Sequence, residues 1–333
     1  MHGDRTDPSV SIVPDRGMQT ATSTSGSPSL KYYLVNGGTM IEVGIVGLDT
    51  SHADAFARLL EERDRVSVAA VWDDGTVRDE AYVGRFCERH DATRYDDAVE
   101  LGHTVDAAMV LTADWSRHAS LAVPFLERGV PTLVDKPVAG DLEALDALER
   151  ASSHAPLFGG SAVAAHPEFD SLPVDYSERQ VYGAGFNDPF YYGAHVVDPI
   201  RRVAGADWAS VTPSKDPGQT VDVLFRNDAR ATVRLDGPDR EASFAFLDVS
   251  DATRTIHIDG QARESLYNPY LDAFLAVVAG DRDDSHRVLD AASLLLAVHA
   301  ALERSEPVTP HSETLADLRV DAAAFVEAYE PPV

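Results

Sequence analysis

Chemistry is concentrated in a few short segments of this chain. Asp135-Lys136-Pro137 closes the apolar run Val130 to Val134. Lysine is scarce: among 28 Lys plus Arg, only Lys31, Lys136 and Lys215 are lysine. Unlike arginine, lysine changes its pKa readily on burial and can exchange a proton. The plainer alternative is a solvated lysine at a strand end. A second segment, Tyr191-Tyr192-Gly193-Ala194-His195-Val196-Val197-Asp198, sets a histidine and a carboxylate three residues apart. On a helix these share a face, and a carboxylate beside an imidazole can orient it for acid/base work. A buried structural histidine is the competing reading.

The third segment is Gly44-Ile45-Val46-Gly47-Leu48-Asp49-Thr50-Ser51-His52. It follows an apolar run and opens a helical pattern, the context of a dinucleotide fingerprint. Gly47 fits the first glycine, while Asp49 and His52 hold the other two positions. The helix start and the Thr50 and Ser51 hydroxyls can still hold phosphate. An ordinary βα turn explains the residues as well. Asp73 stands about 26 residues after Gly47, where an acid can accept from an adenosine ribose. A turn aspartate is the alternative. If a cofactor binds, Asp73 and Asp74 would favour NAD over NADP. His118, in Thr112-Ala113-Asp114-Trp115-Ser116-Arg117-His118, falls near the same crevice by topology, although a surface histidine at a helix start is the simpler expectation.

These segments need a scaffold, and the pattern from Ile41 onward supplies one. Apolar strands at Ile41 to Val46, Val66 to Trp72, Ala107 to Leu111 and Val130 to Val134 alternate with helices predicted at 52–63, 79–89, 116–128 and from Asp141. Ala92 to Tyr95 adds a short strand. Such alternation predicts a doubly wound parallel sheet of Rossmann type, with ligands beyond the strand C-termini. After about residue 155 the character changes. Trp208–Val211, Thr220–Phe225, Ala229–Leu235, Ala242–Val249 and Arg254–Ile258 are β-rich and joined by short turns. Helices are predicted at 267–280, 287–304 and 312–329. The second half is therefore an α+β domain with an open, mostly antiparallel sheet. The expected division is a disordered leader at 1–39, a dinucleotide-binding domain at 40–155 and a substrate-binding, dimerising domain at 156–333.

Composition narrows the classes. At 44% hydrophobic and 25% charged residues the chain is a soluble globular protein. Its formal net charge of -27 is spread over predicted helix surfaces, which suggests a high-salt cytoplasm. The acidity argues against nucleic acid as a partner. Cys87 is the only cysteine, so no intrachain disulfide forms, and the histidines show no metal-ligand spacing. No apolar stretch reaches transmembrane length.

Taken together the segments resemble the Gfo/Idh/MocA (glucose–fructose oxidoreductase / inositol dehydrogenase) family over about residues 41 to 330. Asp135-Lys136-Pro137 looks like its Glu-Lys-Pro signature, with Asp for Glu. Thr112 and His118 match its Thr-Pro-Asn-x-x-His loop, while Ala113 and Asp114 depart from it. Gly193-x-His195-x-x-Asp198 resembles its catalytic-helix pattern, with Tyr191 where an aspartate often stands. The resemblance implies a nicotinamide-dependent oxidoreductase acting on a sugar, cyclitol or related polyol. His195 would exchange the hydroxyl proton and Lys136 would stabilise charge on the same oxygen. Tyr191 and Asp198 would complete the catalytic group, and Gly47, Asp49, Thr50, Ser51, His52, Asp73, Thr112, His118, Asp135 and Lys136 would line the cofactor. A homo-oligomer through the second sheet is also implied. The alternatives are a non-catalytic sugar-binding protein, or a glycosidase or lyase in which NAD is reduced only transiently.

Overall fold

A computed structural model describes residues 40–172, 178–186, 188–215, 218–237 and 243–331. The expected leader, 1–39, lies outside the described residues. The first sheet comprises β1 (Ile41–Val46), β2 (Val66–Trp72), β3 (Thr93–Arg94), β4 (Ala107–Val110), β5 (Thr132–Asp135) and β6 (Leu157–Gly160). Its order is β3-β2-β1-β4-β5-β6, and every pairing is parallel. Strands β4, β5 and β6 are buried throughout, as expected of a sheet covered on both faces. The helices are α1 (Ser51–Glu61), α2 (Glu80–His90), α3 (Ala98–Leu101), α4 (His118–Glu127) and α5 (Leu142–Ser152). Their starts are written locally. Thr50, Asp79, Asp97 and Asp141 each accept a backbone N–H of the helix they precede.

Chain order reverses between β1 and β4, so the crevice opens beyond their C-termini, between Gly47 and Thr112. Gly47 has φ +90°, and a Cβ there would strike the Thr112 side chain. Only glycine makes this turn without strain.

The second sheet runs β12-β11-β7-β10-β9-β8. Its members are β7 (Gln180–Phe186), β8 (Trp208–Pro213), β9 (Thr220–Phe225), β10 (Arg230–Gly237), β11 (Ser243–Asp248) and β12 (Arg254–Asp259). All neighbours are antiparallel except β7 with β10. Strand β7 was not expected from sequence. It carries Gly183 and Gly185 where a Cβ would press into Val196 and Ile200, so β propensity was given up for close packing. The helix it receives is α6 (Ala194–Ala204). The other face is open, with Tyr182 47% exposed.

Helices α7 (Arg263–Val278) and α8 (Ser285–Arg304) join the two halves. Phe56 of α1 meets Tyr267 and Tyr270 of α7 at ring-centroid distances of 5.1 and 5.8 Å. Tyr270 in turn meets Phe158 of β6 at 5.0 Å. The helix expected at 312–329 is two short ones, α9 (Glu313–Ala316) and α10 (Ala323–Ala328). Between them the chain runs over the crevice edge. Val320 N–H donates to Gly140 O at 2.9 Å, and Val320 O accepts from Trp115 Nε1 at 2.7 Å. An extended strap satisfies these groups, which a continuous helix would bond internally.

Candidate active site

Every residue singled out on the parallel sheet lies at its C-terminal edge. Asp135 is the last residue of β5, and Lys136 and Pro137 turn the chain away from it. The Asp135 carboxylate is buried and doubly used. Oδ1 accepts Lys136 N–H at 2.7 Å, and Oδ2 lies 2.6 Å from His52 Nδ1. Burial works against its charge, but His52 and Lys136 beside it hold Asp135 below the usual carboxylate range. His52 is thereby more than a filled glycine position: it ties the start of α1 to the end of β5.

Lys136 is only 5% exposed. Its ammonium lies 3.0 Å from the Tyr191 ring centroid and 5.1 Å from that of Tyr192. Burial pushes its pKa down from 10.5 to about 7, against the pull of Asp135 and Asp188. Near neutrality the amine is thus close to half protonated, the condition in which it can both give and take a proton. Tyr191 is placed as a platform beneath Lys136. Burial raises its hydroxyl pKa well above the ordinary value, so it does not replace the family's aspartate as a base.

His195, in the first turn of α6, faces the same cavity. Its Nδ1 lies 2.7 Å from Ser161 Oγ, and Ser161 directly follows β6. Burial, with Lys136 and His52 adding positive charge, holds the imidazole well below its usual pKa and therefore neutral. Asp198 does not orient His195 as its spacing suggested. Its Oδ2 accepts Ser161 N–H at 2.8 Å, and its Oδ1 pairs with the half-buried Arg287. The i, i+3 relation puts both side chains toward β6, yet Ser161 stands between them. Sequence reasoning passed over Ser161. Its signal was a hydroxyl residue just after the short run Leu157 to Gly160, which is the sixth parallel strand.

The cofactor-side residues divide. Asp49 turns inward, and its Oδ2 accepts Ala113 N–H at 2.8 Å. Burial lifts its carboxyl to about 6, with Ala113 N–H opposing and Asp73 and Asp74 adding. Thr50 Oγ1 accepts His52 N–H at 3.2 Å, and Ser51 opens α1 at the cavity wall. Asp73 also braces the turn. Its two oxygens accept Leu48 N–H and Gly75 N–H, both at 2.8 Å. Asp74 pairs with Arg117. His118 is buried where a surface position was expected: its Nε2 lies 3.0 Å from Thr112 O, and burial lowers its pKa. It fixes the loop after β4 and offers nothing to a ligand at that nitrogen.

Lys136, His195, Thr50, Ser51 and His52 share the wall of a cavity of about 200 Å³. Tyr191, Tyr192, Phe186 and Phe244 line it from the second half, and Tyr329 closes it from the C-terminal strap. Phe325 of α10 stacks on Tyr191 at 4.2 Å. His52, Lys136, His195, Gln261 and Arg263 set polar nitrogen groups among the cavity's aromatic walls, which suits a small polar ligand. The phosphate end also fits a dinucleotide better than the residue types imply. The Asp49 carboxylate spends Oδ2 on Ala113 N–H of the loop after β4, and the glycine turn and the α1 N-terminus remain to meet an anion.

Comparison with known proteins agrees with the fold. Residues 41–156 match the GFO_IDH_MocA model, described as an oxidoreductase family with an NAD-binding Rossmann fold. The match covers the parallel-sheet part of the chain and agrees with its Rossmann-type, NAD-binding fold. No curated protein matched the chain. Among solved structures, myo-inositol dehydrogenase from Lactobacillus casei, in complex with NAD(H) and myo-inositol, superposes with a TM-score of 0.65. Identity is 14%, over 82% of this chain and 98% of that one. A probable dehydrogenase from Thermotoga maritima gives 0.66 at 17% identity, over 81% and 98%. UDP-N-acetylglucosamine 3-dehydrogenase from Acidithiobacillus ferrooxidans gives 0.62 at 18%, over 80% and 98%. At such identities the likeness establishes the fold of both halves. Among the described residues no helix is long and apolar enough to cross a membrane.

Proposed function

We propose that this protein is an NAD-dependent dehydrogenase acting on a CH–OH group of a sugar, cyclitol or related polyol. The observation that carries the proposal is the convergence of Lys136 and His195 on one cavity at the mouth of an NAD-binding Rossmann sheet. Gly47, Thr50, Ser51 and the start of α1 would hold the cofactor's pyrophosphate, and NAD would supply the hydride acceptor. Lys136 and His195 flank the substrate oxygen and divide proton exchange and charge stabilisation between them. Aromatic walls exclude water, which strengthens both interactions. The neighbouring dehydrogenases with bound cyclitol and NAD(H) support this substrate class.

A second reading is a sugar-binding protein without turnover. It draws on Asp49 in the phosphate turn and on the strap that brings Tyr329 to the cavity. Homo-oligomerisation through the open face of the second sheet belongs to either reading, and sedimentation at several concentrations tests it. Calorimetric titration with NAD, NADP and a polyol panel in molar potassium chloride separates the readings. The dehydrogenase predicts NAD binding tighter than NADP, and polyol binding strengthened by NAD. Polyol binding with no affinity for either dinucleotide would establish the second reading.

A further inference from the structure

His195 meets its pocket through Nε2, and which proton state Nε2 presents is decided on the other side of the ring. There the only hydrogen-bond partner of Nδ1 among the described residues is Ser161 Oγ, at 2.7 Å. The Ser161 hydroxyl also accepts Val163 N–H at 3.1 Å. Ser161 is 1% exposed, so its own O–H has no water to turn to. A buried hydroxyl proton is donated wherever an acceptor exists. Of the two partners of Oγ among the described residues, Val163 N–H is itself a donor, so His195 Nδ1 is the acceptor. An imidazole nitrogen that accepts carries no proton, and in the neutral ring the proton then sits on the other nitrogen.

We propose that Ser161 is a positioning residue that holds His195 as the Nε2–H tautomer, so that the imidazole enters the cavity as a hydrogen-bond donor. Asp198 and Arg287 serve this arrangement at one remove. Asp198 Oδ2 takes Ser161 N–H at 2.8 Å, which anchors the serine at the end of β6, and Arg287 anchors Asp198. Gly160 is part of the same fitting: a Cβ there would lie 2.5 Å from Asp198 Oδ2. The assignment also explains a carboxylate three residues from the histidine that never touches it. Its consequence rests on the dehydrogenase reading. A resting N–H donor matches a carbonyl or alkoxide oxygen, and the proton of a bound alcohol is left to the Lys136 amine. The burial that keeps the ring neutral fits the same picture.

The test is the tautomer itself, read in the full chain without turnover. Two-bond proton–nitrogen correlation spectra of histidine-labelled protein at neutral pH give distinct patterns for Nε2–H, Nδ1–H and imidazolium. His195→Gln assigns the signal. The wild type is expected to show the Nε2–H pattern. Ser161→Thr, which keeps the hydroxyl, should retain it, and Ser161→Ala should lose it to a mixture of tautomers. If activity is found, Ser161→Ala should also lower kcat by roughly tenfold, one neutral hydrogen bond's worth, with Ser161→Thr restoring it. An Nδ1–H or imidazolium pattern in the wild type would overturn the proposal even if the alanine variant failed to fold. So would an unchanged pattern in Ser161→Ala. An Nε2–H pattern in a protein that binds no dinucleotide would leave the tautomer assignment standing and remove the dehydrogenase reading alone.

Discussion

Replacing Lys136 by methionine should raise stability while abolishing function, and the two effects can be sized from the same environment. Burial moves the Lys136 pKa from 10.5 to about 7, a cost of about 5 kcal/mol to the charged form. By linkage that is the net burden on the native state at low pH, with the Tyr191 face 3.0 Å from the ammonium limiting it. A folded pKa below the unfolded one gives the sign. Below pH about 7 both states are charged and the burden is full. Between about 7 and 10.5 the unfolded chain binds the proton that the folded chain has shed, so stability rises with pH. Above 10.5 both are neutral and the burden is gone. Lys136→Met removes the amine and keeps a similar volume. Urea denaturation at several pH values should therefore find the variant more stable by up to about 5 kcal/mol near pH 6.5, with the gap closing toward pH 10. A variant less stable than the wild type near neutrality, or a gap constant with pH, would refute the argument. Lys136 would then be a charged structural strut.

Three further outcomes follow from the same structure. Asp198→Ala strips Arg287 of one carboxylate and leaves Ser161 N–H unpaired, although Asp284 remains 3.6 Å from Arg287. A loss of about 3 kcal/mol in urea denaturation is expected, at the low end for a broken buried pair. Phe325→Ala removes the ring between Tyr191 and Trp115 and should cost about 1–2 kcal/mol, less than a fully buried phenylalanine. Limited proteolysis should then cut the strap first. With a net charge of -27, the melting temperature should climb as potassium chloride rises to molar levels, and a flat scan would count against the high-salt expectation.

How far the sequence could be read depended on whether the signal was local. The apolar runs of β1, β2, β4 and β5 and the helix start at Asp141 are local, and each stands close to where the pattern put it. Strand β7 was hidden because its glycines serve α6, not the strand. Strand β6 was hidden because Leu157 to Gly160 is short and half glycine. Inserting β7 between β10 and β11 also creates the parallel pair in a sheet read as mostly antiparallel. The site was legible as residue types and misleading as partners. Lys136 and His195 were found, but their neighbours are set by tertiary contacts. Asp198 pairs with Arg287 across 89 residues, and Asp135 with His52 across 83. Asp73 has the position of a ribose acid and the bonding of a turn brace. No pattern within a segment carries those distinctions.

The central claim is that Lys136 and His195 act on the hydroxyl of a polyol while NAD is bound beside them. Initial rates of NADH formation across a panel of cyclitols and sugars, for the wild type and Lys136→Met in molar salt, address it most directly. The account predicts turnover by the wild type with at least one member of the panel. For the variant it predicts a fall of roughly 10²–10⁴-fold in kcat, with NAD affinity little changed. A variant that forms NADH at the wild-type rate would contradict the account.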